Sequence, residues 1–285
     1  MIAGELIQEY GLHSTRIILE PLTDVTIPVQ HGHQVHALFL DMMRGVQPSV
    51  AERLHDADAQ KPYTISNILG RYRYNQRELV LTKGQSCSLR ITFLTADLFI
   101  DFIEAIQSKK GKLVRLGEVP LVVKALDISS GDDPVIHSDS YLSIVSSATY
   151  SRRITLVFSA PTVFRSTGKR NVIFPEPVLT FGSYLNKWDD FSPIKFNEGL
   201  RDIISQHIIP SRYRLETRIL DFGSYQEVGF IGRCTYLISD AVSREDLAQI
   251  NTLADFAFYA GTGAKTTMGM GQTRRFEKNR TLKSE

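Results

Sequence analysis

Apolar and polar positions follow two periodicities along this chain, and each predicts a different kind of element. In the first half, apolar residues recurring every three or four positions predict amphipathic helices over 34–44, 49–55 and 95–107. Alternating apolar and polar positions predict the strands 13–19, 63–68, 78–82, 86–94, 112–116 and 120–128. We expect the strands 63–68 and 78–82 to pair with each other.

The same order of elements returns after a turn-rich segment at 129–134, which we take as a linker. The pattern then predicts strands at 152–159, 213–222, 228–238 and 272–276, and helices at 192–208 and 243–259. Each half has the order β-α-β-β-α-β, which is the ferredoxin-like order. The sequence therefore predicts an α+β fold of tandem ferredoxin-like (RRM-like) domains, at residues 1–130 and 135–285.

Composition narrows the class of protein. Of the 285 residues, 42% are hydrophobic and 22% are charged, which excludes disordered, fibrous and disulfide-scaffold proteins. Cys87 and Cys234 stand far apart without metal-ligand spacing, so we expect buried thiols in a reducing compartment. Charged residues interrupt the apolar stretch 89–106, and the N-terminus is acidic where a signal peptide is basic. We expect a cytoplasmic protein with no membrane span, no metal and no cofactor.

The charge is distributed unevenly between the halves. Residues 1–140 hold 14 Lys and Arg against 17 Asp and Glu, whereas residues 141–285 hold 19 against 14. This asymmetry is a mild indication that the second half meets a polyanion.

The segment 261–271, GTGAKTTMGMG, has the most specific pattern in the chain. Its glycines permit positive φ and a close approach of the backbone to a ligand, and successive N–H groups in such a loop can surround an anion. Lys265 would add a positive charge, and Thr266 and Thr267 would add hydroxyl donors. The pattern therefore predicts a phosphate site framed by glycines, which are Gly261, Gly263, Gly269 and Gly271.

Two familiar phosphate motifs do not fit this segment. A P-loop needs glycine before the lysine and a strand before the loop, but Ala264 precedes Lys265 and a predicted helix precedes the loop. A dinucleotide-binding fingerprint needs a third glycine where Thr266 stands. The alternative to a phosphate site is a flexible connection between helix and strand that uses glycine as a C-cap.

The glycine pattern near the C-terminus, with a lysine in its insert, resembles the signature of the CRISPR precursor-RNA processing endoribonucleases of the RAMP superfamily. The segments 160–165, 171–177 and 181–184 are similar to the middle part of that family. His33-Gln34, 54–55 and 61–64 resemble its N-terminal half, so the resemblance extends over nearly the whole chain. It implies CRISPR repeat RNA within precursor transcripts as a partner, and a CRISPR effector complex as a possible further one.

The resemblance also implies candidate chemistry. A ribonuclease that works without metal needs a group that takes the 2′-hydroxyl proton and a group that stabilises or protonates the departing 5′-oxygen. The spacing of His55 and Lys61 occurs in catalytic members of the family, which implies that His55 is the general base or acid and that Lys61 stabilises charge. Some members have a tyrosine at the position that Leu40 occupies here. The second acid–base group is therefore undecided, and the candidates are His36 and Tyr63. The alternative for His36 is simple packing on its helix.

Basic residues of the second half are candidates for RNA contacts, since arginine binds phosphates and stacks on unpaired bases. They are Arg165, Lys169 and Arg170 on a loop after a strand, and Arg274 and Arg275 directly after the glycines. Together with these residues, the resemblance implies a metal-independent endoribonuclease that cuts CRISPR repeat RNA and leaves 2′,3′-cyclic phosphate and 5′-hydroxyl ends. The alternatives are a non-catalytic RNA-binding subunit of an effector complex and a mononucleotide-binding protein.

Overall fold

The computed structural model describes residues 11–45, 48–55, 60–74, 78–128, 133, 135–165, 170–222 and 225–276, with the side chains of all but 53, 55 and 74. Its helices are α1 (Gly32–Arg44), α2 (Pro48–His55), α3 (Ala96–Lys109), α4 (Tyr141–Ser146), α5 (Pro177–Phe191), α6 (Leu200–His207) and α7 (Arg244–Ala260). Its strands are β1 (Leu12–Pro21), β2 (Val25–Pro28), β3 (Tyr63–Ile65), β4 (Arg73–Tyr74), β5 (Glu78–Leu81), β6 (Cys87–Phe93), β7 (Leu113–Leu116), β8 (Val119–Asp127), β9 (His137–Asp139), β10 (Arg153–Thr162), β11 (Phe164–Arg165), β12 (Asn171–Val172), β13 (Ile208–Asp221), β14 (Gln226–Ile238) and β15 (Thr273–Arg275). None of the described helices is long and apolar enough to cross a membrane.

The first domain is an antiparallel sheet with helices on one face. Its strand order is β3-β6-β1-β8-β7, and the order of β3, β6, β1 and β8 is that of a ferredoxin-like unit. Phe39 of α1 and Phe102 of α3 pack beside Phe93 of β6 in the core between the helices and the sheet.

Two sequence predictions for the first domain are wrong. The segment 63–68 does not pair with 78–82, because β3 pairs with β6 while β5 pairs with β2 and β4 in a separate sheet. All side chains of β3 are buried, so both of its faces must be covered and it belongs to the main sheet. The first sheet also continues past the boundary predicted at 130–135, because β9 pairs with β1.

The second domain repeats the architecture with the strand order β13-β14-β10-β15. Its first long helix is α5, not the single helix predicted over 192–208. Pro177 in the first turn of α5 suits a helix start, and Pro193 disfavours helical backbone at Ser192, where α5 ends. Only α6, which follows Gly199, occupies part of the predicted segment.

The domains meet where α7 packs against β3, β6 and β1 of the first sheet. Arg90 of β6 is buried at this junction, and burial lowers its pKa to about 10. Its guanidinium donates to Ser14 Oγ at 2.9 Å, to Gln272 Oε1 at 2.7 Å and to the Phe258 carbonyl at 2.8 Å. The guanidinium also lies 4.2 Å from the centre of the Phe258 ring. The sheet face opposite α1 and α3 is therefore covered by the second domain.

Candidate functional site

The start of β3 and the facing side of α1 bring two of the predicted acid–base residues together. Tyr63 Oη and His36 Nε2 are hydrogen-bonded at 3.0 Å. Tyr63 is fully buried and burial raises its pKa, so the hydroxyl stays protonated and can donate to a neutral imidazole. Tyr63 cannot touch RNA directly, whereas the half-buried His36 remains the accessible member of the pair.

A buried histidine fixes where α1 begins. The Ile68 N–H donates to His31 Nε2 at 2.8 Å, and His31 Nδ1 lies 2.9 Å from the Pro28 carbonyl, to which it can donate. Burial lowers the pKa of His31, which favours the neutral ring that this pair of contacts requires. His31 therefore anchors the first turn of α1 beside the chain that leaves β3.

The remaining predicted residues of the first domain lie on adjoining elements. α2 packs against α1 and ends at His55, whose side chain is outside the described part of the structure. Lys61 is half-buried and stands two residues before Tyr63, where β3 begins. Leu40, where the resemblance places a tyrosine, is buried in the core.

The glycine-rich segment 261–271 connects α7 to β15 and lies between the domains. The structure does not support the predicted row of open N–H donors, because most of these groups are bonded to carbonyls of the protein. The bonded groups are those of Gly261, Thr262, Ala264, Met268, Gly269, Met270 and Gly271. The Gly269 bond reaches the Ile65 carbonyl at 3.1 Å, which ties the segment to β3.

Close packing explains the glycines of this segment. Gly263 has a φ of 72°, and a Cβ there would lie 2.3 Å from the Val163 carbonyl oxygen. Gly269 has a φ of 81°, and a Cβ there would lie 2.2 Å from Asn67 Oδ1. Both positions therefore combine a left-handed backbone with a contact that leaves no room for a side chain.

Lys265 contacts side chains of the second domain. It forms an ion pair with Glu227, and the side chains of the two residues are only 9% and 7% exposed. The ammonium also lies 4.6 Å from the ring centre of Phe222 and 4.3 Å from that of Tyr225. Tyr225 Oη in turn lies 3.3 Å from His33 Nε2, so this cluster links the β13–β14 hairpin to the start of α1.

The two threonines of the segment are buried residues, and one of them is bonded within the protein. Thr266 and Thr267 are buried, and Thr266 Oγ1 accepts from Lys187 Nζ at 3.2 Å. Lys187 of α5 also donates to the Ala260 carbonyl, and burial lowers the pKa of this lysine to about 8. α5 therefore holds the segment at the point where α7 ends.

The predicted basic residues separate into an exposed set and an internal one. Arg274 and Arg275 are neighbours on β15, and successive strand residues point to opposite faces. Arg275 is directed toward α7, where it bonds Asp255 and Asn251, so its guanidinium already has partners within the protein. Arg274 is exposed on the opposite face.

The loop after β10 is only partly described. Arg165 is exposed on β11, which pairs with β12, and Arg170 is exposed just before β12. Lys169 lies outside the described residues. Across the described ranges, no three His, Cys, Asp or Glu side chains are grouped closely enough to hold a metal ion.

Two models of one family match this chain. The model described as the CRISPR Cas6 N-terminal domain matches residues 12–139, and the model described as CRISPR-associated endoribonuclease Cas6 matches residues 156–273. The chain belongs to the Cas6 family.

Curated relatives and solved structures agree with this membership. A Cas6 endoribonuclease from Streptococcus thermophilus is 30% identical over 163 residues, which are 56% of this chain and 64% of that relative. One from Mycobacterium tuberculosis is 28% identical over 128 residues, which are 44% of this chain and 39% of the relative. The matched region thus spans less than two thirds of these relatives.

The structural matches cover more of the chain. A Thermus thermophilus Cas6 is 25% identical with a TM-score of 0.71, covering 94% of this chain and 99% of that chain. The same Cas6 in a product complex gives a TM-score of 0.80 at 26% identity, covering 94% and 100%. These matches and the two sheet orders confirm the tandem ferredoxin-like fold.

Proposed function

We propose that this chain is an endoribonuclease that cuts CRISPR repeat RNA within precursor transcripts without using a metal. Membership of the Cas6 family supports the activity, since the matching relatives are named endoribonucleases and one matched structure is a product complex. The observation that carries the proposal is the hydrogen-bonded pair of His36 and Tyr63 on elements that adjoin Lys61 and the end of α2.

Three side chains of the first domain perform the chemistry in this proposal. His55 takes the proton of the 2′-hydroxyl as its oxygen attacks the neighbouring phosphorus, and Lys61 stabilises the extra charge that develops on the phosphoryl oxygens. The bond from phosphorus to the 5′-oxygen then breaks, and His36, which enters this step as the imidazolium, supplies a proton to that oxygen and becomes neutral. The products carry a 2′,3′-cyclic phosphate and a 5′-hydroxyl. Tyr63 holds the His36 ring in position through their hydrogen bond.

Binding of the RNA backbone falls to the second domain. We assign phosphate contacts to the exposed Arg165, Arg170 and Arg274, and to Lys169, which precedes Arg170 in the sequence. The segment 261–271 contributes through its shape, because it holds the second domain against β3 and α1. Its buried threonines and the internal Arg275 have no place in this surface.

Single-turnover cutting of labelled repeat RNA at excess protein, in EDTA, tests the proposal. We expect cleavage at one phosphodiester, and we expect His55→Ala to lower the rate by roughly 10²–10⁴ with nearly unchanged RNA affinity. His137→Ala is the matched control, since it removes an exposed histidine on β9 that lies beside Asp139. The control should cut at the rate of the unmodified protein.

Other outcomes of this assay identify the alternatives. RNA binding without cutting would indicate a non-catalytic subunit of an effector complex, and no affinity for RNA would favour a nucleotide-binding protein. If the His55→Ala variant cuts normally and the His36→Ala variant does not, the reaction depends on His36 and not on His55.

A further inference from the structure

The second sheet leaves one face uncovered by helices, and the strand register places arginines in a row across it. Arg214 of β13 stands opposite Arg233 of β14, and Arg233 stands opposite Val157 of β10. Val157 in turn stands opposite Arg274 of β15. Side chains of residues that are paired across neighbouring strands point to the same face, so these three arginines project together.

The adjoining rows extend the same surface. Arg212 stands opposite Thr235, and the Thr235 hydroxyl is hydrogen-bonded to that of Thr155 at 2.8 Å. Phe276 ends the surface beside β15, where the Arg233 guanidinium lies 4.7 Å from its ring centre. We call the exposed set the arginine face, which comprises Arg153, Arg212, Arg214, Arg233 and Arg274.

The charges of this face are unbalanced within the chain. Among the described residues, no carboxylate forms an ion pair with any member of the arginine face, whereas the nearby Arg218 is paired with Glu216. Like charges directly opposite each other on paired strands destabilise a sheet, so Arg214 and Arg233 oppose folding. A polyanion bound on this face would remove the repulsion between the two arginines.

The position of the face connects it to the candidate centre. β15 begins two residues after Gly271, so the strand that carries Arg274 continues directly from the glycine-rich segment. That segment is bonded to β3 through the Ile65 carbonyl. An extended polyanion lying across the arginine face can therefore run past the segment toward α1 and β3.

We propose that the arginine face binds single-stranded RNA, an inference that rests on the proposed function and names the surface that holds its substrate. The arginines neutralise phosphates, and the half-exposed Phe276 with Arg233 offers an unpaired base a surface on which to stack. A base within a duplex has no free face for such a contact. The proposal therefore commits to an unpaired segment of the RNA.

The test compares two variants that each remove two positive charges. Arg214→Gln/Arg233→Gln changes the arginine face, while the control Arg44→Gln/Arg115→Gln changes exposed arginines of the first domain that are paired with Asp41 and Glu118. The probe is a labelled oligouridylate of about 12 nucleotides, titrated between about 50 and 200 mM salt.

We expect the variant of the arginine face to bind at least about tenfold more weakly and to lower the slope of log affinity against log salt by about 1.4. The control should change neither quantity, and thermal melting should show both variants folded. Phe276→Ala should weaken binding at least about fivefold without altering the slope, since stacking releases no counterions. Equal losses in the two double variants would overturn the proposal.

Two further measurements keep the inference separate from the proposed function. Tighter binding of an RNA duplex of the same length, through the same arginines, would overturn the assignment to single strands. Cutting of repeat RNA by the unmodified protein, with unchanged binding by the Arg214/Arg233 variant, would overturn the arginine face alone. An unmodified protein that binds through the face but does not cut would overturn the proposed function alone.

Discussion

The two ferredoxin-like domains share a strand order but use the bare face of their sheets in different ways. In the first domain, the face opposite the helices is covered by α7, and Arg90 of that face donates to Gln272 and to the Phe258 carbonyl of the second domain. In the second domain, the corresponding face is exposed and carries the arginine face. Equivalent sheet faces of the two domains therefore have different roles, because a role depends on the side chains of the face and on their contacts and not on the fold.

Arg90 and Arg233 show the difference with one residue type. Both guanidinium groups lie over a phenylalanine ring, at 4.2 Å from Phe258 and at 4.7 Å from Phe276. Arg90 is buried and donates to three acceptors within the protein, whereas Arg233 is exposed and has no described carboxylate as partner. We infer that the first arginine stabilises the domain junction and that the second is available to a ligand.

The largest effect on stability is expected at Arg90. Arg90→Met should lower the free energy of unfolding by about 3 kcal/mol or more, because Gln272 Oε1 and the Phe258 carbonyl lose their donor inside the junction. Arg233→Met, the same substitution on the exposed face, should change it by less than about 0.5 kcal/mol. Urea unfolding of the two variants measures both values. Similar losses would show that the two faces do not differ as described.

A smaller effect is expected at Lys265, in the segment between the two faces. Lys265→Met should cost about 1–3 kcal/mol of unfolding free energy, since the buried Glu227 loses its ion pair. Lys265→Met/Glu227→Gln should recover part of this loss, and neither variant should alter the salt slope of RNA binding. A slope lowered by about 0.7 at unchanged stability would instead make Lys265 a phosphate contact, as the sequence pattern predicts.

The outline of the fold could be predicted from the sequence because its signals are local. Alternation located most strands, and the predicted helix 243–259 begins at a capped end, since the Asp246 N–H donates to Ser243 Oγ at 3.1 Å. The pairing of β3 could not be predicted, since it depends on which helices and strands cover a segment after folding. The same limit applies to α5, whose only local start signal is Pro177.

The candidate site was less predictable than the fold. The glycines predicted positive φ correctly, but the N–H groups of Ala264, Gly269 and Gly271 are bonded to the carbonyls of Val163, Ile65 and Pro161, which are far away in sequence. The arginine face was missed, although Arg214 in the predicted strand 213–222 and Arg212 directly before it stand at alternate positions, which is a signal for one charged face. Recognising it requires the register of β13, β14, β10 and β15, which joins residues from four separate segments.

The smallest effect, and one of opposite sign, is expected at Arg214. Arg214→Gln removes a like-charge pair with Arg233 and should raise the free energy of unfolding by a few tenths of a kcal/mol at low salt. The gain should shrink as salt screens the repulsion. It should vanish when Arg214→Gln is introduced into the Arg233→Gln variant. Urea unfolding of Arg214→Gln, Arg233→Gln and the double variant at two salt concentrations measures this coupling. A loss of stability in Arg214→Gln would show that the arginines are held by the fold, as Arg90 is, and the contrast between the two sheet faces would no longer hold.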